Sequence, residues 1–256
     1  MQLRVLGAHN LESRDTRMES HLIDGVLALD AGGLTRALTF DEQRGIRAII
    51  LSHRHFDHVR DLLPLGLVLR DTGATVELYA IQDTADSVRS NLLDGILYPD
   101  FLASPSAENP TFRLNVVELH QPFKVLGYDA VAVPVPHSVP AAGFQLSNGR
   151  RKLFYTGDTG LGLSAAWKHV APDILLTEVT FGNENEANAL AVGHLTPALL
   201  DEALDEFHQE LGYLPRVIVS HMNPPWEQQI RSELKELSER LGIEILISSA
   251  DMTLEL

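Results

Sequence analysis

The chain has 256 residues, a net charge of −15 and no cysteine. Its length suits one large α/β domain better than two small ones. The lack of cysteine excludes disulfides, thiolate zinc sites, iron–sulfur clusters and thiol nucleophiles, and the acidic balance without a basic patch argues against a large nucleic-acid partner.

The first half of the chain is rich in predicted strands. Asp24 and Gly25 suit a tight hairpin turn between the second and third of them, and residues 48–51 are apolar throughout, as in a fully buried strand. Asp57 is a candidate N-cap for the helix that follows. In chain order, the predicted elements are strands at 3–6, 21–24, 26–30 and 48–51, a helix at 59–69, a strand at 76–80 and a helix at 84–93.

The second half begins with a long loop at 94–112, which carries three prolines and shows little periodicity. Long loops in compact domains often line sites. Thr196 and Pro197 suit the N-cap and the first turn of a helix. The remaining predicted elements are strands at 113–119, 128–135, 152–156, 174–177, 217–220 and 243–247, and helices at 197–211 and 225–241. Periodicity alone therefore supports a mixed α/β domain with two similar halves.

Three histidines and an aspartate follow the buried strand at 48–51: His53, His55, Asp57 and His58. Ligands bind at strand ends in α/β sheets, and imidazole and carboxylate suit zinc or iron when sulfur is missing. The alternating spacing lets His53 and His55 point the same way, whereas the adjacent Asp57 and His58 diverge, so one loop could serve two metals. A chance cluster with these offsets arises in only about one such chain in a thousand.

Three more residues of ligand type follow predicted strands farther along the chain: His137, Asp158 and His221. Taken singly, each is more often an ordinary loop residue. Taken with the histidine cluster, they complete the ligand set that two metals need.

The order His-x-His-x-Asp-His, followed by a lone His, Asp and His, resembles the metallo-β-lactamase superfamily over nearly the whole chain. The resemblance implies a single domain over 1–256 with an α/β (α+β) fold, a four-layer αββα sandwich. It also implies two divalent transition metal ions, zinc foremost, with iron or manganese as alternatives. Asp30 would orient the ligands. The implied ligands are His53, His55 and His137 for one metal, Asp57, His58 and His221 for the other, and Asp158 for both.

Two further patterns narrow the resemblance. Aspartate rather than cysteine at position 158 is typical of phosphodiesterase-type members. Glu178, followed by Gly193-His-Leu-Thr-Pro197, looks like the Glu…Gly-His-Leu-Thr-Pro pattern of class II cyclic-nucleotide phosphodiesterases, and tRNA 3′-processing endonucleases have a related Gly-His-Ser-Thr. A weaker match is Asn91 with residues 98–101. These patterns imply hydrolysis of a small phosphodiester, such as a 3′,5′-cyclic nucleotide, by a hydroxide that bridges the metals.

The catalytic residues implied by this resemblance are Asp57, Glu178 and His194. His194 would protonate the leaving alkoxide. Glu178 would hold His194 in the right tautomer and keep it protonated, because a nearby carboxylate favours imidazolium.

The chain departs from the family patterns at three places. Asp61 stands where the family helix usually has a glycine. No glycine-rich loop follows the first strand, and no basic, glycine-rich arm of the kind that grips tRNA is present. These departures favour a small diester over tRNA and leave the nucleotide itself open.

Other functions on the same fold compete with this hypothesis. They are a lactone or thioester hydrolase, a tRNA 3′-processing-like nuclease, an iron-dependent sulfur redox enzyme, and a binding module without activity. The complete ligand set argues against the last, and the Glu178–His194 pair favours a diester over a lactone. A single metal would favour redox chemistry.

The expected partner is a small-molecule phosphodiester, with Arg14 and Arg17 as candidates for gripping its phosphate. The resemblance also suggests a homodimer. No apolar run approaches the roughly 20 residues of a bilayer span, and the first residues lack the pattern of a secretory signal. We therefore expect no membrane contact and a cytoplasmic location.

Overall fold

The computed structural model describes all 256 residues. No helix combines the length and the apolar character needed to cross a membrane. In chain order, the strands are β1 (Gln2–Gly7), β2 (Ser20–Ile23), β3 (Leu27–Leu29), β4 (Ala48–Ile50), β5 (Val76–Ala80), β6 (Phe112–Val116), β7 (Pro122–Val125), β8 (Tyr128–Val135), β9 (Ala141–Ser147), β10 (Lys152–Tyr155), β11 (Ile174–Glu178), β12 (Arg216–Ser220), β13 (Ile245–Ile247) and β14 (Thr253–Glu255). The helices are α1 (Leu34–Ala37), α2 (Phe40–Gly45), α3 (Phe56–Val59), α4 (Leu62–Leu69), α5 (Gln82–Asn91), α6 (Ser164–Trp167), α7 (Glu186–Val192), α8 (Pro197–Leu211) and α9 (Glu227–Leu241).

The strands form two seven-stranded sheets with the same plan. The first has the order β14-β1-β2-β3-β4-β5-β6 and the second the order β13-β12-β11-β10-β9-β8-β7. In each sheet one half is antiparallel, while β3 to β6 and β10 to β13 run parallel. Every connection between parallel neighbours contains at least one helix, as a crossover requires.

The two sheets pack face to face with helices on both outer faces. Ile50 and Phe144 belong to the apolar core between the sheets. Leu65 of α4 belongs to the core on the outer face of the first sheet. Leu200 of α8 and Leu234 of α9 belong to the core on the second. This layering confirms the predicted four-layer αββα sandwich.

Most predicted elements lie within two residues of the observed ones. The predicted hairpin turn is present, because Asp24 and Gly25 both adopt positive φ angles, 47° and 73°, as a two-residue turn between β2 and β3 requires. The predicted cap of α8 is also confirmed, since the Thr196 side chain accepts a hydrogen bond from the Leu199 N–H at 3.2 Å.

The helix predicted at 59–69 is wrong in its start and in its continuity. It is divided into α3 and α4, and Asp57 lies in the first turn of α3, while His55 occupies the N-cap position. The interruption falls at Asp61, whose N–H donates to the carbonyl of Ala31 at 2.7 Å. A tertiary hydrogen bond therefore replaces the helical one at this residue.

Three strands, β7, β9 and β14, were not predicted, and the strand expected to be the last is followed by β14. β9 begins with small residues because space is short: a Cβ on Gly143 would lie 2.5 Å from the Phe154 ring. β14 pairs with β1 from the opposite end of the chain, and a local pattern carries no information about such a partner.

The polar residues predicted to form a site follow strands that end at one edge of each sheet. β10, β11 and β12 are parallel, and β8 points the same way because two antiparallel steps separate it from β10. The register pairs Glu178 with Ser220. The residue after Ser220 is His221, so the topology places His221 beside the end of β11.

Candidate metal centre

The first ligand group consists of His53, His55 and His137. His53 and His55 lie in the loop between β4 and α3, and His137 follows β8. Their ring centroids are 4.6 to 5.0 Å apart, and His137 Nε2 is 3.2 Å from His55 Nδ1. The imidazoles therefore converge on one point.

The second ligand group consists of Asp57, His58 and His221. His58 Nε2 and His221 Nε2 are 3.2 Å apart, and His221 Nε2 is 3.1 Å from Asp57 Oδ2. Asp57 and His58 both lie in the short helix α3, and His221 follows β12 with a positive φ of 57°. These side chains also converge.

Asp158 lies between the two groups. Its Oδ2 is 3.6 Å from His53 Nε2 and 3.9 Å from His137 Nε2, while its Oδ1 is 3.3 Å from His58 Nε2. Each carboxylate oxygen thus faces a different ligand group, which is the geometry of a bridging ligand.

The buried polar atoms at this point fit bound cations. His53 Nε2 and Asp158 Oδ1 are buried and have no hydrogen-bond partner in the protein, and buried polar atoms are rarely left unpaired. Each group, taken with Asp158, offers four ligand atoms that lie within 4.8 Å of one another. Imidazole and carboxylate donors of this kind suit zinc, iron or manganese.

The electrostatics of the two groups differ. Burial holds the pKa of His53 well below its ordinary value, and burial likewise lowers the pKa values of His55 and His137. Burial also opposes charge on His58 and His221. The nearby carboxylates, Asp158 foremost, nevertheless raise the pKa of His58 well above its usual range and that of His221 to about 9. The carboxylates around the second group therefore favour positive charge there more strongly than at the first group.

Asp30 lies beneath both groups, as predicted. It is fully buried, and its Oδ2 accepts hydrogen bonds from His58 Nδ1 at 2.7 Å, Ser52 Oγ at 2.7 Å and the Tyr155 hydroxyl at 2.6 Å. Ser52 Oγ is in turn 3.0 Å from His53 Nδ1. Asp30 thus orients one imidazole directly and another through a hydroxyl, leaving each Nε2 free to bind a cation.

Glu178 and His194 form a pair at the rim. His194 Nδ1 donates to Glu178 Oε1 at 2.6 Å, and its Nε2 is 4.0 Å from Asp158 Oδ2. The His194 ring stacks on His221 with centroids 5.6 Å apart. Burial disfavours charge on His194, but the Glu178 carboxylate outweighs it and raises the pKa of the imidazole. The pair can present a proton from Nε2 to a molecule in the site.

The remaining candidates make their hydrogen bonds to residues outside the two ligand groups. The Arg17 guanidinium pairs with Asp251 at 2.9 Å, and the Asn91 amide bonds to Ser87 on its own helix. Arg14 is exposed, and its carbonyl accepts a hydrogen bond from Arg36. The loop at 94–112 contributes none of the groups that converge here.

Three supporting residues were not predicted. Ser52 and Tyr155 bond to Asp30, and Thr180 bonds to Glu178. The Gly193 carbonyl accepts from His137 Nδ1 at 2.8 Å, and a Cβ on Gly193 would lie 2.9 Å from the His137 backbone. The only sequence signal of Ser52, Tyr155 and Thr180 is position, since each lies within a few residues of a predicted site residue or at the end of a strand, whereas Gly193 opens the Gly193–Pro197 motif.

Comparison with known proteins supports the resemblance seen in the sequence. Residues 21–222 match the Beta-lactamase superfamily domain. The fold is similar to yeast PDE1 (TM-score 0.82, 15% identity, 100% of this chain and 99% of that chain covered). It is also similar to the metallo-beta-lactamase fold protein YhfI from Bacillus subtilis (0.80, 17%, 100% and 99%) and to Zn²⁺-bound PqqB from Methylobacterium extorquens (0.73, 19%, 100% and 100%). No curated protein matches the chain. Because the family match spans most of the chain and includes both ligand groups and Asp158, the chain belongs to the β-lactamase superfamily.

Proposed function

We propose that this protein is a metal-dependent hydrolase of small phosphodiesters. In this proposal the two ligand groups and Asp158 bind two divalent transition metal ions, with zinc foremost. The unpaired buried atoms of His53 and Asp158 support the metal site, and the fold is shared with a zinc-bound structure and with a yeast protein named PDE1.

The Glu178–His194 pair beside the metal centre is the observation that best supports phosphodiester hydrolysis. Hydrolysis of a phosphodiester expels an alkoxide, which needs a proton. His194 has a raised pKa, is 13% exposed and directs Nε2 toward the centre, so it can protonate a leaving oxygen.

The residues of the site have separate roles in the proposed reaction. When bound, the cations would supply Lewis acidity, which polarises a phosphoryl group and lowers the pKa of water so that hydroxide is available as the nucleophile. Asp57 is the most accessible of the second ligand group, with 21% of its side chain exposed, and we propose that it orients the attacking water. Glu178 holds His194 Nδ1–H, so the proton that moves to the leaving group comes from Nε2.

The surrounding charges favour a small substrate over a nucleic acid. Arg17 pairs with Asp251, Arg36 and Arg60 both pair with Glu12, and Arg54 pairs with Asp83. These guanidinium groups are neutralised within the protein, and the net charge is −15. These pairings, together with the net charge, leave fewer cationic groups free to bind a polyanion.

A substrate panel on protein of known metal content tests the proposal. It contains bis(p-nitrophenyl) phosphate, cyclic AMP, cyclic GMP, a lactone and a tRNA precursor. We expect cleavage of the aryl diester, and we expect His194→Ala to slow cleavage of the diester with the most basic leaving group by about 10²-fold or more, without loss of metal. His208→Ala, at an exposed position on α8, serves as the matched control.

A series of aryl phosphodiesters with progressively poorer leaving groups tests the proton donor itself. The loss caused by His194→Ala should grow as the leaving group becomes more basic, because a basic leaving group depends more on protonation. Turnover of the lactone with an inert diester would reject the phosphodiester assignment. An equal loss across the series would reject His194 as the acid.

A further inference from the structure

Thr180 lies at the junction of the proton-donor pair and the second ligand group. It is fully buried two residues after β11 ends. Its Oγ1 is 2.8 Å from Glu178 Oε2, 3.0 Å from His221 Nδ1 and 3.2 Å from His194 Nδ1. One hydroxyl therefore contacts the carboxylate and both imidazoles.

The chemistry of a hydroxyl limits how these contacts can be arranged. A threonine hydroxyl donates one hydrogen bond and accepts up to two, whereas an ionised carboxylate only accepts. Glu178 Oε2, at 2.8 Å, is nearer than the other acceptor, the His221 carbonyl at 3.1 Å. The hydroxyl proton therefore goes to Glu178, and Thr180 Oγ1 accepts from His221 Nδ1–H. The Asp158 Oδ1 atom is also near His221 Nδ1, at 3.3 Å, but it forms no hydrogen bond there.

We propose that Thr180 is a positioning residue that fixes the tautomer of His221 and couples this ligand to the Glu178–His194 pair. His221 Nδ1–H donates to Thr180 Oγ1, and Thr180 donates to Glu178 Oε2. His194 donates to the other oxygen, Glu178 Oε1. The inference rests on the proposed function, in which His221 binds a cation through Nε2 and His194 delivers a proton.

The backbone of Thr180 ties the same parts together. Its N–H donates to the Leu195 carbonyl in the loop that carries His194, and its carbonyl accepts from the Asn223 N–H in the loop that carries His221. His221 itself has a positive φ of 57°, which is uncommon for a residue other than glycine. Thr180 thus holds both loops in place by its backbone as well as by its side chain.

The same arrangement occurs on the other side of the metal centre. There His53 Nδ1 lies 3.0 Å from Ser52 Oγ, and Ser52 Oγ lies 2.7 Å from Asp30 Oδ2. In both places a buried hydroxyl connects an imidazole to a buried carboxylate. The recurrence supports a role in orienting ligands, because a hydroxyl needed only to fill space would not require a carboxylate behind it.

Zinc titration of the full-length protein against a chromophoric chelator tests the proposal through Thr180→Val and Thr180→Ser. Valine removes only the hydroxyl and leaves His221 Nδ1–H unpaired. We expect the valine variant to bind one of two zinc ions about 10–100-fold more weakly, and to cleave bis(p-nitrophenyl) phosphate more slowly even at saturating zinc. Serine should restore both properties.

Thr177→Val is the matched control, because Thr177 is a buried residue of the preceding strand β11 whose hydroxyl accepts a hydrogen bond from Thr156 and none from an imidazole. It should leave zinc affinity unchanged. Wild-type zinc affinity in the Thr180→Val protein would overturn the proposal. Zinc binding without diester cleavage by the wild-type protein would reject the proposed function, while the affinities would still decide the role of Thr180.

A measurement on the wild-type protein avoids any dependence on folding of the variants. Long-range ¹H–¹⁵N spectra of the zinc-loaded protein report which nitrogen of His221 carries the proton. We expect a protonated Nδ1. A proton on Nε2, with zinc bound through Nδ1, would overturn the proposal.

Discussion

The buried carboxylates Asp30 and Glu178 occupy similar positions but serve different partners. Each holds one imidazole directly and another through a hydroxyl. Both imidazoles at Asp30, on His53 and His58, belong to the ligand groups and are inaccessible to solvent. At Glu178, one imidazole belongs to the ligand His221 and the other to the partly exposed His194.

The difference shows how one chemical unit can have two functions. At Asp30, both imidazoles lie in the ligand groups and neither reaches solvent, so we expect this carboxylate to orient ligands and increase their basicity. At Glu178, one partner reaches the open rim, where it can exchange a proton with a substrate. In the proposed mechanism, exposure of a single imidazole separates a metal-binding role from a catalytic one.

Asp158 lies between the two ligand groups, so its removal should have the largest effect on metal binding and on rate. We expect Asp158→Ala to lose both metal ions and to slow diester cleavage by at least about a thousand-fold, because bound cations contribute several kcal/mol to such reactions. Elemental analysis and initial rates measure both effects, and Asp71→Ala on the exposed surface is the control. Two metals retained per chain would show that Asp158 does not bridge them.

Isosteric amide substitutions at Asp30 and Glu178 should impair the protein in different ways. Asp30→Asn should weaken zinc binding by about 10–100-fold, and excess zinc should restore much of the rate. Glu178→Gln should leave a rate deficit of about 10²-fold at any zinc concentration, because the proton donor is no longer held and charged. Diester cleavage rates measured across a zinc titration distinguish the two variants. If excess zinc also restored the rate of Glu178→Gln, the two carboxylates would not have different roles.

Metal removal should destabilise the fold. A ligand that binds only the native state stabilises it by about 2.7 kcal/mol at one hundred times its dissociation constant, which corresponds to about 5–10 °C in a chain of this size. We expect EDTA to lower the unfolding temperature of the wild-type protein by that amount, and that of Asp30→Asn by less. Equal shifts in differential scanning fluorimetry would show that Asp30 does not support metal binding.

Substitution of Asp61 should have the smallest effect on function, because this buried carboxylate forms no hydrogen bond with an imidazole. Its Oδ2 accepts from the Thr35 N–H at 2.6 Å and from the Thr35 hydroxyl at 2.8 Å, and Arg60 donates to Oδ1. Asp61→Gly should cost about 1–3 kcal/mol of unfolding free energy, measured by urea denaturation, with zinc affinity retained. Loss of zinc binding would show that Asp61, like Asp30, supports the metal ligands.

The sequence by itself predicted the candidate ligand residues, which the structure brings together, and most strands of the sheets. The His53–His58 cluster and the lone residues after later strands are local patterns, and a strand end is a local signal for a site. The family match and the layered architecture confirm the superfamily and the fold predicted from them.

Only the tertiary structure decided how Asp158 faces both ligand groups and which hydroxyls support the imidazoles. Thr180 lies 41 residues from His221 in sequence yet contacts its ring, and Tyr155 lies 125 residues from Asp30. It also showed that Asp57 lies within a helical turn rather than at its cap, and that Asp61 interrupts the helix. Such contacts depend on the packing of two sheets formed by distant segments, and no local periodicity encodes them.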